Sequence, residues 1–501
     1  MIRITARKSV EYPWEACIEP AAAAALALDE EAGRLIETPH GVAVARPSTR
    51  AANAWALAQA TRDPFVIMIS IYIFAPFYVT RVIGDPVLGQ TLVASANKWG
   101  GWFVMLSAPL LGAMIDRLGP RKPWLAGVVT MMVLLTAALW FTPVGGGGLP
   151  PGAVLVILAA MTALFAYHEM LHNALLLPAA GMEGAGRASG LALAGGNAVS
   201  VLMLVGVLFA FALPGKVDWS WLPAVPMLGL NAALGEPDRI PALIVAVVMG
   251  LGAIPLFRLV PDMARTVLSV PQALRAGAGD LARLVREARG HRNPLVFLLA
   301  RMIYTDGLTA ILVFGGLYAA GRMQWATLEM LGYGIILSLA AVVGGLLAGW
   351  LDDRIGPKLA LKLELSVLMV MQTMTLGMAH DRILFRPWAG TPFWDGPMFT
   401  TLPEVVFLSI GCVLAVCVCA AYASSRTMLT RVAPPEKMGV FFGLYVLSGS
   451  ATMWLGPLLI EAATRAGGTQ AWGMAPVVGM LAVGLVVLMF VKGGGRLEAG
   501  G

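Results

Sequence analysis

His168 and His172 stand four residues apart with Glu169 between them. On a helix that spacing puts both imidazoles on one face, where they can hold a zinc ion while the glutamate acts as general base. Such a centre needs a third ligand, typically an acid from a later segment, and Asp306 is the one obvious candidate. The same cluster supports a different chemistry. His168, Glu169, His172 and Asn173 form two adjacent polar edges of one helix, suited to proton exchange or to hydrogen bonding a solute. A third reading is plain interhelical bonding with no further role.

The segments that carry these residues decide between the readings. Hydrophobic residues make up 58% of the chain and charged residues 13%, about half the charge of a soluble domain. Apolar runs of about 20 residues, the length needed to cross the hydrocarbon core, are expected near 64–83, 91–115, 123–142, 152–177, 189–213 and 240–260. A second set falls near 294–320, 328–351, 359–380, 403–425, 438–460 and 473–491. The expectation is an all-α integral membrane protein of six plus six spans. Alternating stretches are missing, which disfavours a membrane barrel.

Ionisable groups at membrane depth are costly and so become functional candidates. Asp306 lies about 18 Å into the seventh span at the helical rise, near the midplane. Arg301 is shallower and able to snorkel. Their spacing of five sets them about 140° apart, so each should find its partner on another helix. Tyr304 and Asn197 complete the cavity candidates, and Lys98 reads as a snorkelling anchor.

The net charge of +6 reflects topology. Seven of the 35 Lys and Arg precede the first expected span, eighteen fall in loops on the same side, and seven fall on the other. By the positive-inside rule both termini are cytoplasmic, and no nucleic-acid partner is expected. Cys412, Cys417 and Cys419 share one span at spacings that fit neither a zinc cage nor a disulfide framework. Gly145 to Gly148 lack the Gly-Lys-Ser/Thr of a phosphate loop. No metal or other cofactor is implied.

Five regions follow: an extension over 1–55 that is not a signal peptide, a first bundle over 56–260, a linker over 261–293, a second bundle over 294–492, and a tail over 493–501. In the linker, Leu274, Leu281, Leu284 and Val285 share a face opposite the arginines, the pattern of a helix lying along a membrane surface.

One motif occurs twice. Gly112-Ala-Met-Ile-Asp116-Arg117-Leu-Gly119-Pro120-Arg121 aligns with Gly349-Trp-Leu-Asp352-Asp353-Arg354-Ile-Gly356-Pro357-Lys358, pairing Asp116 with Asp353. Both copies join a second span to a third within their half, so the chain reads as two copies of one six-helix unit. Gly112 and Gly349 are expected to admit a close helix neighbour.

This loop resembles the signature loop of the major facilitator superfamily. Arg121-Lys122-Pro123-Trp124, Asn173 to Pro178, Phe297 to Gly307, and Ala433 to Tyr445 with Ser448-Gly449 and Leu455-Gly456-Pro457 are similar to the vacuole-effluxer branch of that superfamily. The resemblance implies two pseudo-symmetric bundles rocking around a central cavity. It further implies that Asp116, Arg117, Gly119, Arg121, Asp353, Arg354, Gly356 and Lys358 form a cytoplasmic gate whose acid and arginines latch onto helices of the opposite half.

Two departures stand out. Ala58 to Pro64 replaces the family's Tyr, acid and Trp-Ala-Asn, and Ser450 stands where relatives often carry lysine. The expected function is secondary active transport of a small polar solute, with relatives implying amino-acid efflux and with protons, through Asp306 or Glu169, as the coupling ion. The alternatives are an intramembrane zinc metalloprotease and a non-transporting sensor of the same fold. Arg outnumbers Lys 27 to 8, which with abundant Ala and Gly points to a GC-rich bacterial genome and a cytoplasmic-membrane location.

Overall fold

The structure, a computed structural model, describes residues 47–493 apart from 264 and 435–437, together with a short strand pair, Ile36–Glu37 with Ala43–Val44. Most of the expected N-terminal extension, with Cys17, and the end of the C-terminal tail lie outside the described residues.

Among the described residues twelve helices are long and apolar enough to span a bilayer. The first half holds Thr49–Val82, Pro86–Leu118, Lys122–Phe141, Pro151–Ala174, Arg187–Ala212 and Glu236–Leu259. The second holds Arg292–Arg322, Thr327–Ile355, Pro357–Leu376, Leu402–Val432, Phe441–Gly467 and Gln470–Met489. They are called the first to twelfth spans below. An even number of crossings places both repeated loops and the helix that joins the halves, Val270–Ala288, on one face, here the linker side.

Several boundaries follow from local chemistry. The second span opens at Asp85, whose carboxylate accepts from the amides of Val87 and Leu88 ahead of a proline at the first turn, a standard N-cap. Gly119 and Gly356 take φ of 97° and 82°, so the repeated glycine supplies a positive φ that other residues rarely adopt where the second and eighth spans end. Pro357 begins the ninth span, and Pro123 stands in the first turn of the third.

The first span starts fifteen residues before position 64, where sequence hydropathy places it. Arg62-Asp63-Pro64 reads as a polar break, but Arg62 is 5% exposed inside the helix. A buried guanidinium is tolerable there because it is fully engaged by neighbours. The span accommodates Pro64 by passing into π-helical turns over Phe65–Tyr72 and Tyr78–Val82, a usual way of absorbing a broken hydrogen-bond ladder. The fifth span is preceded by a bend at Gly181, with φ 66° and ψ 175°. The eleventh is interrupted: Met438–Ala451 and Leu455–Gly467 are separate helices.

The halves meet mainly on the face away from the linker. A Cβ built on Gly316 of the seventh span would lie 1.9 Å from the Ile71 carbonyl oxygen of the first, and Tyr72 packs edge-on against Tyr333 at 5.8 Å. Gln90 donates to Thr464 and to the Gln470 carbonyl. Lys98 binds Glu461 at 2.6 Å, so this lysine is a half-buried bridge between halves and not a snorkelling anchor. Asp238 receives the Thr327 hydroxyl and pairs with Arg81 at 3.0 Å.

Deeper in, Trp454 at the break in the eleventh span stacks on Trp102 of the second, 4.4 Å between centroids. On the linker side the fourth span packs against the second, third and fifth, and the tenth packs within its own half. Glu169 and Asn173 are exposed there.

Candidate functional site

The two histidines do not prepare a metal site. Both turn toward the first span: Nδ1 of His168 meets the Arg62 guanidinium at 3.3 Å, and Nε2 of His172 meets the Trp55 carbonyl at 3.0 Å. The Trp55 indole returns a bond to the His172 carbonyl at 2.7 Å and stacks on its ring. Shared helical face is thus correct, but its occupant is a neighbouring helix. Glu169 points elsewhere, within electrostatic range of Tyr422 of the tenth span. Asp306 joins neither imidazole, and among the described residues no group of three metal-ligating side chains forms.

Arg62 is the centre of this N-terminal network and is absent from the sequence-derived candidates, as is Asp63. The guanidinium holds Asp63 at 2.7 Å, touches His168 and lies 4.5 Å from the centroid of Phe165. Gly196 leaves room for the Asp63 carboxylate, since a Cβ there would lie 2.2 Å from it. The signal was present in the departure at Ala58 to Pro64, but a charged pair beside proline looked like a loop. Asn197, one residue on, is half-exposed and among the described residues bonds only its own helix, donating to the Leu193 carbonyl at 3.1 Å.

The second network belongs to the seventh span. Arg301 donates to the Tyr445 carbonyl at 2.8 Å and to the Ser448 hydroxyl at 2.6 Å, with its guanidinium 3.5 Å from the centroid of the Tyr445 ring. It is buried, so the snorkelling expectation fails: polar and π partners on the eleventh span retain it. Asp306 is 6% exposed and accepts the Gly456 amide at 2.8 Å. That amide is in the first turn of Leu455–Gly467, so Asp306 caps from another helix the second half of the interrupted span. Carboxylates favour helix N-termini. Tyr304 is fully buried and shares a 2.7 Å bond with Ser425 of the tenth span, while Thr309 and Tyr422 pair at 2.9 Å. The expectation that Asp306 and Arg301 each seek another helix is met, and their partners lie on the two helices of the interrupted eleventh span.

The repeated loops behave differently from a latch between halves. Asp116 binds Arg121 of its own loop at 2.8 Å. Arg117 forms a bidentate pair with Asp280 of the linker helix, both bonds 2.6 Å. Asp262, after the sixth span, caps the third by accepting from the amides of Arg121 and Lys122. Asp353 is exposed, Arg354 covers the Trp350 ring at 4.5 Å, and Lys358 donates to the Val491 carbonyl. Among the described residues none of these groups bonds a helix of the opposite half.

Asp352, the neighbour of the aligned Asp353, is the buried acid of the second copy. Gly112 does approach the Met170 side chain, but nothing lies within 4 Å of a Cβ at Gly349.

The linker helix docks through small residues. A Cβ at Gly277 would lie 2.6 Å from the Ala113 backbone, and Leu284 reaches Gly443 of the eleventh span. Leu274 and Val285 of the expected apolar face remain exposed. The Arg117 hydrogen bond holds the Asp280 carboxyl below the usual aspartate range. Its contribution is therefore complete above the ordinary aspartate pKa and lost only as pH falls through the lowered value, so docking should ignore neutral and mildly acidic pH. Being exposed, the pair should also be weak and screened by salt. Accordingly, Asp280→Asn should change protease cleavage of the linker little, whereas Gly277→Leu should accelerate it strongly; equal effects would make the ion pair the principal tether.

Comparison with known proteins settles the family. The family model described as vacuole effluxer Atg22 like matches residues 236–496, more than half of the chain. The chain belongs to that family. It is also 21% identical over 456 residues to an uncharacterised MFS-type transporter, YxiO of Bacillus subtilis strain 168, covering 88% of this chain and 95% of that protein.

Among solved structures, a D-xylose-proton symporter aligns with TM-score 0.58 at 12% identity over 88% of this chain and 97% of its own. A mutant of the nucleoside transporter NupG aligns at 0.57 and 12% over 88% and 99%. A bacterial homologue of the iron transporter ferroportin, in an inward-facing state, aligns at 0.56 and 14% over 89% and 99%. At these identities the structures establish the major facilitator fold. The protein is an MFS-type membrane transporter and not an enzyme, which removes the metalloprotease reading of His168-Glu169-x-x-His172.

Proposed function

We propose that this family member is a secondary active transporter of a small polar solute, coupled to protons and working by alternating access in a bacterial cytoplasmic membrane. The observation that carries the reading is the asymmetry of the two faces. Lys98–Glu461, Gln90–Thr464 and Gly316 against Ile71 join the halves away from the linker, while Glu169 and Asn173 are exposed on the linker side. The basic loops make the linker side cytoplasmic, so the arrangement corresponds to an inward-open state. Disengaged loop residues, from Asp116 to Arg121 and from Asp353 to Lys358, fit a latch that is released when that side opens.

The solute class follows from the midplane groups. Asp306, Arg301, Tyr304 and Tyr422 in one half and Glu169, Asn173 and the Arg62–Asp63–His168 network in the other make up an acid and base inventory matched to a zwitterion such as an amino acid. Export agrees with the effluxer description of the family. No nucleotide-binding motif drives the cycle, and an ion gradient is the remaining source of work.

The test is flux of labelled amino acids in proteoliposomes with and without an imposed pH gradient, comparing wild type with Asp306→Asn. Gradient-driven flux that the substitution impairs is expected. Flux indifferent to the gradient and unchanged in Asp306→Asn would remove proton coupling, and ligand binding without any flux would make the protein a sensor.

A further inference from the structure

Glu364 sits eight residues into the ninth span from the linker side and is 3% exposed. Its Oε1 accepts the Ser424 hydroxyl of the tenth span at 3.1 Å, and its Oε2 has no partner among the described residues. Asp352, from the last turn of the eighth span, is 7% exposed, and its Oδ1 is likewise unpartnered among the described residues. Ser424 bonds Glu364, and Asp352 lies within electrostatic reach of both. None of this belongs to the networks around Arg301 or Arg62.

The surroundings offer little to neutralise two negative charges. The twelfth span, which packs on the ninth, carries no ionisable side chain from Gln470 to Met489. The tenth presents Ser424, Thr427, Cys417 and, next to its last residue, Arg431. The seventh brings Tyr304, hydrogen-bonded to Ser425, with Arg301 beyond it. On the ninth itself Lys358 is committed to the Val491 carbonyl and Lys362 lies next to it, while Asp353 adds a further negative charge beside Asp352. Among the described residues no salt bridge reaches either carboxylate.

We propose that Glu364 and Asp352 form a proton-binding site inside the C-terminal half, apart from the solute-facing groups. A desolvated carboxylate with one hydroxyl donor is costly, and two near each other repel. A proton on the free Oε2 removes the charge and supplies a donor. On release the carboxylic O–H breaks, the proton passes by way of Asp352 to water at the linker face, and the electron pair remains on Glu364. The new charge then draws Arg431, whose Nη1 is buried without an acceptor among the described residues. Because Asp352 and Arg431 end the eighth and tenth spans, proton release pulls on the linker-side ends of two helices. Occupancy of the site stands by itself; its use in coupling rests on the transporter reading above.

The experiment is infrared spectroscopy of the full-length protein in liposomes, titrated from acidic to alkaline buffer with no solute present. Wild type should show a protonated-carboxyl band that titrates, with a component missing in Glu364→Gln and retained in Asp306→Asn. Ser424→Ala, which removes the donor to the ionised form, should raise the midpoint of that component; about one pH unit would correspond to a tenfold change. Gradient-driven accumulation should fall at least about tenfold in Glu364→Gln. A band unchanged in Glu364→Gln overturns the site, and if that variant does not fold, an unshifted midpoint in Ser424→Ala does so. Wild-type protein with no flux would instead count against the transporter reading and leave the infrared result standing.

Discussion

An alanine at Gly316 should hold the two halves apart on the face away from the linker. The added Cβ would be 1.9 Å from the Ile71 carbonyl oxygen and 2.9 Å from its carbon. Both atoms are backbone, so no rotamer relieves the overlap and the spans must separate. Overpacking of a formed contact costs about 1–3 kcal/mol, and each 1.4 kcal/mol moves a two-state equilibrium about tenfold. Only the state in which these spans touch bears that cost. The equilibrium therefore shifts toward the arrangement open on that face.

The measurement is alkylation by a membrane-impermeant maleimide of a cysteine placed at Ala320, which lines the shallow cavity there beside Tyr72, Arg81 and Trp325. The rate should rise about tenfold or more. Gly315 supplies the control, since nothing lies within 4 Å of a Cβ at that position, and Gly315→Ala should leave the rate unchanged. An unaltered rate in Gly316→Ala would show that the contact with Ile71 does not close this face.

What could be read from the sequence divides along physical lines. Span number and the two-half plan were legible because burial in lipid demands long apolar runs, and because the chain takes a positive φ at both Gly119 and Gly356, which favours glycine at each. The face shared by His168 and His172 was legible from helical period alone. Its occupant was not, because the Trp55 carbonyl and the Arg62 guanidinium approach from 117 and 106 residues away.

Hydropathy failed at Arg62 for a related reason: a charge inside a membrane looks like a loop unless its partners are known. The second copy of the motif misled in its own way. Alignment with Asp116 selected Asp353, but the position that faces inward is Asp352, whose counterpart in the first copy is the buried Ile115. Duplication preserved the turn and not the chemistry behind it.

Arg301 and Asp306 should prove to act as one unit on the eleventh span, and this is the second large effect expected. Arg301 holds the last turns of Met438–Ala451 through Tyr445 and Ser448, and Asp306 holds the first turn of Leu455–Gly467 through Gly456. Thr452, in the break itself, donates to the Met302 carbonyl at 3.2 Å. One helix thus grips both sides of the interruption in its neighbour, and the Trp454 that stacks on Trp102 lies between the grips. Movement of the seventh span is transmitted to the contact between halves through this bracket.

Losing a hydrogen bond to a charged group costs about 1.5–3 kcal/mol. Asp306→Ala and Arg301→Met are each therefore expected to lower flux by about 10–100-fold. Asp306→Asn keeps an acceptor for Gly456 and should fall between wild type and alanine. In a bracket, once one grip is lost the second has little left to align. The double variant should be less impaired than the product of the single losses, with a coupling of at least about 0.5 kcal/mol. Strict additivity would assign the two residues separate duties, and an Asp306→Asn loss as deep as that of alanine would place the carboxylate's charge, and not its hold on Gly456, at the centre of its role.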